Sequence, residues 1–120
     1  MLLSLVIPVF NEQEVIPALW QEVFQAMTSI TDDFEVLFVD DGSTDNSLQL
    51  LLGIQQSEKR AKVISLSRNF GHQAAYTAGL TFTKGDFIAM MDGDLQDPPI
   101  HIKPMLEMLQ NQNFEVVYGS

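Results

Sequence analysis

Cysteine is absent from all 120 residues. That excludes disulfide stapling and thiolate metal sites, and it fits a reducing compartment. Basic side chains are scarce: 6 Lys and Arg stand against 16 Asp and Glu, a formal net charge of −10. So few cations argue against a nucleic-acid partner, because no basic stripe can form to follow a phosphate backbone. The carboxylate excess suits a site that recruits a divalent cation. No apolar run approaches the ~20 residues that a membrane span needs. The opening residues lack a basic segment and meet Pro8 and Asn11 too soon for a secretion signal, so the expectation is a soluble piece on the cytoplasmic side. Neither a Gly-x-Gly-x-x-Gly run nor a Walker lysine loop occurs, which disfavours ordinary dinucleotide and P-loop sites.

What is present is apolar and alternating. Hydrophobic residues make up 46% of the chain and charged residues 18%, a composition that folds around a core. Residues 1–120 read as one domain. Short, mostly branched apolar runs at 3–9, 34–39, 61–66, 86–91 and 114–118 read as strands of a parallel sheet covered on both faces. Helical patterns lie between them. Ile16, Leu19, Trp20, Val23, Met27 and Ile30 fall on one face, with Asn11 as the expected cap and Glu14 as its capping-box partner. Leu48, Leu51 and Leu52 mark a second helix opened by Ser43, Thr44 and Asp45. Ala74, Ala75, Ala78 and Phe82 mark a third, with Gly79 packed closely on the sheet. Asp97 and two prolines open a fourth, whose apolar face is Ile102, Met105, Leu106 and Leu109. The β-α-β-α-β-α-β-α-β order implies an α/β three-layer α/β/α sandwich with a mostly parallel, Rossmann-like sheet, whose ligands sit beyond the carboxyl ends of the strands.

Those ends hold most of the carboxylates, a costly concentration unless the acids are solvated, hydrogen-bonded or metal-bound. Asp92 and Asp94 are two residues apart, so on a continuing strand they point the same way, and Gln96 keeps that parity. Such oxygens suit Mg²⁺ or Mn²⁺; the plainer reading is that Asp94 and Asp97 make local turn and cap bonds. Asp40 and Asp41 are adjacent and should point to opposite sides. One can face the crevice and accept from a nucleobase N–H while the other holds the turn. Glu12 can accept from ribose hydroxyls or merely favour the helix dipole. Arg68 can contact base or phosphate, or pair with a neighbouring acid. Phe10 offers a stacking face or a core ring. Gly71 allows close backbone approach or a plain turn. His72 and His101 are expected to be non-catalytic.

Four pieces, VIPVFNE (6–12), VDDGSTD (39–45), SRNFGHQAA (67–75) and MDGDLQDPP (91–99), resemble in order and spacing the nucleotide-binding half of a GT-A, family 2 glycosyltransferase. The last two resemble most the polyprenyl-phosphate branch, which includes dolichyl-phosphate mannose synthases, bactoprenol glucosyl transferases and undecaprenyl-phosphate formamido-arabinose transferases. Phe10 stands where Tyr is commoner. The resemblance implies that Pro8, Phe10, Glu12, Asp40, Asp41, Arg68 and Gly71 line the UDP- or GDP-sugar pocket. It implies that Asp92 contacts the donor and shares the metal with Asp94 and Gln96, and that Asp94 is essential for catalysis. It further implies an inverting, metal-dependent transfer to a polyprenyl phosphate in cell-wall or polysaccharide synthesis, at the inner or plasma membrane. The family's catalytic domain is longer, so the expectation is a fragment without the acceptor half and membrane segments, inactive by itself and prone to homo-oligomerise through uncovered apolar surface. The alternative is a non-enzymatic phosphate-receiver or a degenerate nucleotide-binding module of the same doubly wound shape. A receiver needs a supporting Lys after a strand, whereas Lys84 precedes one.

Overall fold

The computed structural model describes residues 2–91 with their side chains and the backbone of residues 116–119. The elements are β1 (Leu3–Val9), α1 (Ile16–Ile30), β2 (Phe34–Asp40), α2 (Ser47–Ser57), β3 (Ala61–Ser65), α3 (His72–Phe82), β4 (Phe87–Met91) and β5 (Val116–Gly119). All five described strands form one sheet in the order β3-β2-β1-β4-β5, and every pairing is parallel. The expected α/β class is therefore observed. The fourth expected helix lies outside the described residues.

Side-chain alternation builds the layers. Leu3, Leu5, Ile7 and Val9 of β1, with Val36 and Phe38 of β2, meet Ile16, Leu19, Val23 and Met27 of α1 and Leu51 of α2. Val6, Leu37, Val39 and Met90 meet Ala75 of α3 on the opposite face. Both β1 and β2 are buried along their whole length, which is why they read as continuous apolar runs. Gly79 is in the α3 face because nothing larger fits: an added Cβ would lie 2.3 Å from Val6 Cγ1 and 3.1 Å from Val39 Cγ2.

Three local expectations need correction. Asn11 does not cap α1. The helix starts five residues later, its flanking residue is Val15 with no side-chain cap, and Pro17 sits in the first turn. Pro fits there because the first helical N–H groups have no intrahelical partner. Likewise α2 begins at Ser47 rather than at Ser43, Thr44 or Asp45. Leu52 (44% exposed) and Phe82 (59%) face outward, so the inward stripes are Ser47 and Leu51 on α2, and Ala75 and Gly79 on α3. Apolar identity marked these two helices correctly but misplaced Leu52 on α2 and both Ala74 and Phe82 on α3.

The amino-terminal edge of the sheet is tied by a buried acid. Glu35, 2% exposed, accepts from Ser4 Oγ at 2.6 Å, the Lys84 N–H at 2.7 Å and Lys62 Nζ at 2.8 Å. Gly85 N–H donates in turn to Ser4 Oγ at 2.9 Å. Burial pushes the Glu35 carboxyl up, but the bonds from Lys62, Ser4 and Lys84 and the Lys62 charge outweigh it, leaving it below its ordinary value. Lys84 precedes β4 and so lies at the edge remote from the strand ends; its backbone N–H, not its ammonium, makes the bond to Glu35.

Candidate functional site

The strand order reverses direction between β1 and β4: from β1 the chain moves outward through β2 and β3, then returns to β4 on the other side. In open parallel sheets this switch point leaves a crevice at the carboxyl edge, since the loops on its two sides diverge. Three described loops rise there, after β1 (10–15), β2 (41–46) and β3 (66–71). The chain leaves β4 at Met91, directly before Asp92.

Pro8 lies near the end of β1 and is buried. Leu3 N–H bonds to Asp33 O, and Val9 O accepts from Asp41 N–H, so odd-numbered residues of β1 serve β2. Pro8 therefore turns its ring nitrogen toward the β4 side, where described pairing has already ended at Val6–Met90. A proline is tolerated in this central strand because no ladder bond is demanded of it there. Phe10 follows, 37% exposed.

The paired aspartates do different work. Asp41, 1% exposed, accepts from the Phe70 N–H at 2.8 Å, the Gly71 N–H at 3.0 Å and Asn69 Nδ2 at 3.2 Å. Its carboxylate thus ties the β3 loop to the end of β2. Asp40, 2% exposed, receives only the Ser43 N–H, at 3.4 Å on Oδ2, and its Oδ1 has no hydrogen-bond partner among the described residues. A buried acceptor left unmade costs about 1–3 kcal/mol. Within the described residues, Asp40 Oδ1 is thus an unmet acceptor at the carboxyl edge of the sheet.

Gly42 lets these loops meet. Its φ is +72°, and an added Cβ would lie 2.2 Å from Arg68 C and 2.4 Å from Asn69 N. Gly42 is thus where two loop backbones come closest. Gly71 has φ +101° with open space around it, so it serves the turn into α3. Arg68 is exposed, and its guanidinium lies 4.5 Å from the centroid of the Phe70 ring, itself 47% exposed. It makes no ion pair among the described residues, so the acid-pairing alternative does not apply within them.

Asn11 is where sequence reasoning missed most. It is the single non-glycine residue with positive φ among those described, at +51°. Its Oδ1 accepts from Thr44 N–H at 2.8 Å and Asp45 N–H at 3.3 Å, and its own N–H donates to Ser43 Oγ at 2.9 Å. Glu12 N–H donates to Ser47 Oγ at 2.8 Å, Gln13 N–H to Asp45 Oδ2 at 3.3 Å, and Asn46 N–H to Gln13 Oε1 at 3.0 Å. Burial pushes the Asp45 carboxyl up, but hydrogen bonds from Ser47 and Gln13 outweigh it and hold the group below its ordinary value. A cavity of about 280 Å³ opens along Asn11–Val15 beside Asp45. A larger hollow, about 500 Å³, lies on α2 among Gln49, Leu52, Gly53, Gln55 and Gln56 and holds no charged group. Asn was a readable signal, being one of the few residues that tolerate the left-handed region. Its acidic and polar followers pointed instead to a helix cap.

Asp92, Asp94 and Gln96 lie outside the described residues, as does His101. Within the described residues no group of three His, Cys, Asp or Glu side chains gathers to hold a metal ion, and no helix is long and apolar enough to cross a membrane. The sequence-predicted residues brought to one edge are thus Pro8 and Asp40, at the ends of β1 and β2, and Phe10, Glu12, Asp41, Arg68 and Gly71, on the loops that follow β1, β2 and β3.

A doubly wound α/β sheet with helices on both faces defines a domain of Rossmann-like type. The chain belongs to glycosyl transferase family 2, whose model matches residues 4–120. It is 44% identical over 116 residues to the uncharacterized glycosyltransferase YkcC of Bacillus subtilis (strain 168), an alignment covering 97% of this chain and 36% of that protein. The chain thus spans little more than a third of this relative. The fold is shared with the mannosyltransferase PcManGT from Pyrobaculum calidifontis, solved with GDP-Man and Mn²⁺ (TM-score 0.75, 18% identity, 89% of this chain and 32% of that one). S. aureus TarS 1-349, solved with UDP-GlcNAc, also shares it (TM-score 0.73, 24% identity, 94% and 32%).

Proposed function

We propose that this chain is the donor-binding half of a metal-dependent, inverting glycosyltransferase that moves a sugar from a UDP- or GDP-sugar to a polyprenyl phosphate at the membrane. The observation that carries the reading is the Oδ1 of Asp40, buried at the carboxyl edge and without a partner among the described residues. A nucleobase N–H would satisfy it. Phe10 and Arg68 supply a ring face and a planar cation at the same edge, both suited to stack on a base. Glu12 would accept from ribose hydroxyls, while Asp41 and Gly71 act through the loop they shape.

The donor set of Asp92, Asp94 and Gln96 is all oxygen with two carboxylates, which fits a hard cation. When bound there, Mg²⁺ or Mn²⁺ would supply Lewis-acid stabilisation of the charge that grows on the leaving diphosphate. Family membership and the GDP-Man, Mn²⁺ and UDP-GlcNAc in the two solved proteins support a nucleotide-sugar ligand. The acceptor rests on the likeness of SRNFGHQAA and MDGDLQDPP to the polyprenyl-phosphate branch. A phosphate monoester with a second pKa of about 6 is largely ionised at neutral pH, so its oxygen can attack the anomeric carbon without a protein base.

Calorimetric titration of the chain with UDP and with GDP, each with Mn²⁺, tests the reading. Binding of one of them, weakened at least tenfold by Asp94→Asn, is expected. No heat from either nucleotide at millimolar concentration contradicts it.

A further inference from the structure

We propose that Asn11 is a positioning residue for the nucleotide crevice: it holds the β1 and β2 loops as one rigid platform on which Phe10, Glu12 and Asp40 face the same ligand. The inference rests on the donor-site reading above, and adds a residue that touches no ligand itself.

Three observations converge on it. First, Asn11 adopts φ +51°, a region that few side chains tolerate, in the loop between an aromatic and an acid assigned to the donor. Second, its amide oxygen takes two successive backbone donors of the other loop, Thr44 and Asp45, and its own N–H reaches back to Ser43 Oγ. One side chain thereby satisfies N–H groups that lie just before α2, where no helical partner exists for them. Third, the flanking bonds depend on the same register: Glu12 to Ser47, Gln13 to Asp45 and Asn46 to Gln13. Ser43, whose hydroxyl accepts from the Asn11 backbone N–H in the register that the Oδ1 bonds fix, is also the residue whose N–H reaches Asp40 Oδ2. Asn11 is therefore two bonds from the carboxylate that awaits the base. Releasing it frees the 42–46 loop and lowers the fraction of molecules in which Asp40 and Phe10 are placed together. Affinity falls in proportion to that fraction.

The test separates the hydrogen bonds from the backbone conformation. Asn11→Gly keeps φ +51° at no steric cost and removes the amide oxygen. Asn11→Asp keeps an acceptor and is the conservative rescue. Two readouts are taken on each: amide hydrogen exchange at Thr44 and Asp45, and calorimetric affinity for UDP and for GDP with Mn²⁺. The expected result for Asn11→Gly is at least about tenfold faster exchange at both amides and about tenfold weaker nucleotide binding. Asn11→Asp should stay within about threefold of the parent in both, as retained acceptor geometry requires. Unchanged exchange in Asn11→Gly overturns the lock. Faster exchange with affinity within twofold overturns its coupling to the site. If the parent chain binds neither nucleotide, it is the donor-site reading that fails, while the exchange arm still decides whether Asn11 joins the two loops.

Discussion

Asp40 and Asp41 are adjacent in the chain and alike in chemistry, yet their burdens differ. Asp41 is saturated by the β3 loop, whereas Asp40 keeps one buried oxygen without a partner among the described residues. Function at the expense of stability is the expected signature of such a group. Asp40→Asn should leave the urea midpoint unchanged or raised, because one buried formal charge is removed. The same variant should weaken nucleotide binding about tenfold, because the bond of about 1.5–3 kcal/mol loses its charge assistance or meets an amide Nδ2 instead of an oxygen. A clear loss of stability with unaltered affinity would assign Asp40 to the scaffold. Gly42→Ala reads the opposite case. Its Cβ would strike the Arg68–Asn69 backbone from a left-handed conformation, so a loss of about 2–4 kcal/mol in urea unfolding is expected. The Asp-Asp-Gly-Ser turn was visible as a turn in the sequence. Which aspartate stays free was not, because that depends on where residues 69–71 return, a contact across some thirty positions.

Among the elements, the strands were the most legible. The β1 run predicted at 3–9 matches Leu3–Val9, and those at 34–39 and 61–66 differ from Phe34–Asp40 and Ala61–Ser65 by one residue. Burial on both faces leaves a strand little freedom in composition, so the signal is strong. Helix starts were less legible. Asn11 looks like a cap for α1 but cross-links the two loops instead, while Asp45 both accepts from the Ser47 N–H that opens α2 and bonds across to Gln13, since Asn, Ser and Asp bond equally well to backbone in a neighbouring segment. Glu35, an acid inside an apolar strand, drew no notice in the sequence, and its role follows from Ser4, Lys62 and Lys84 converging on it. Its consequence is a pH dependence of definite sign. The folded carboxyl titrates below its ordinary value of 4.5, so its stabilisation is present above about that pH and disappears as the pH falls through the lower folded value. Glu35→Gln should therefore cost about 1–3 kcal/mol in urea unfolding at pH 7, through unmet buried donors, and the gap to the parent should narrow below pH 4. A gap that stays constant down to pH 3 would deny the carboxylate this part.

At the scale of the whole molecule, chemistry is segregated by sheet edge. The amino edge is closed by the Glu35 network and by Arg60, whose guanidinium lies 4.4 Å from the centroid of the Phe34 ring and pairs with Glu58 at 2.9 Å. The Arg60 bonds hold the Glu58 carboxyl down at about 2. Among the described residues, the carboxyl edge keeps an unpartnered acceptor, the exposed rings of Phe10 and Phe70, and an exposed arginine. Fold class and the loops that form the site were readable because a βα order forces strand ends to one side. The crevice's location between β1 and β4 needed the strand order itself, which no local pattern encodes. The most direct measurement is a backbone amide chemical-shift map of the chain titrated with UDP, and separately GDP, in Mg²⁺. A donor site at this edge predicts shifts concentrated at Phe10–Glu12, Asp40–Ser43 and Arg68–Gly71, with Ser4, Glu35, Lys84 and Gly85 unmoved. Shifts confined to the amino edge or to the α2 hollow, or no shifts at saturating nucleotide, would contradict it.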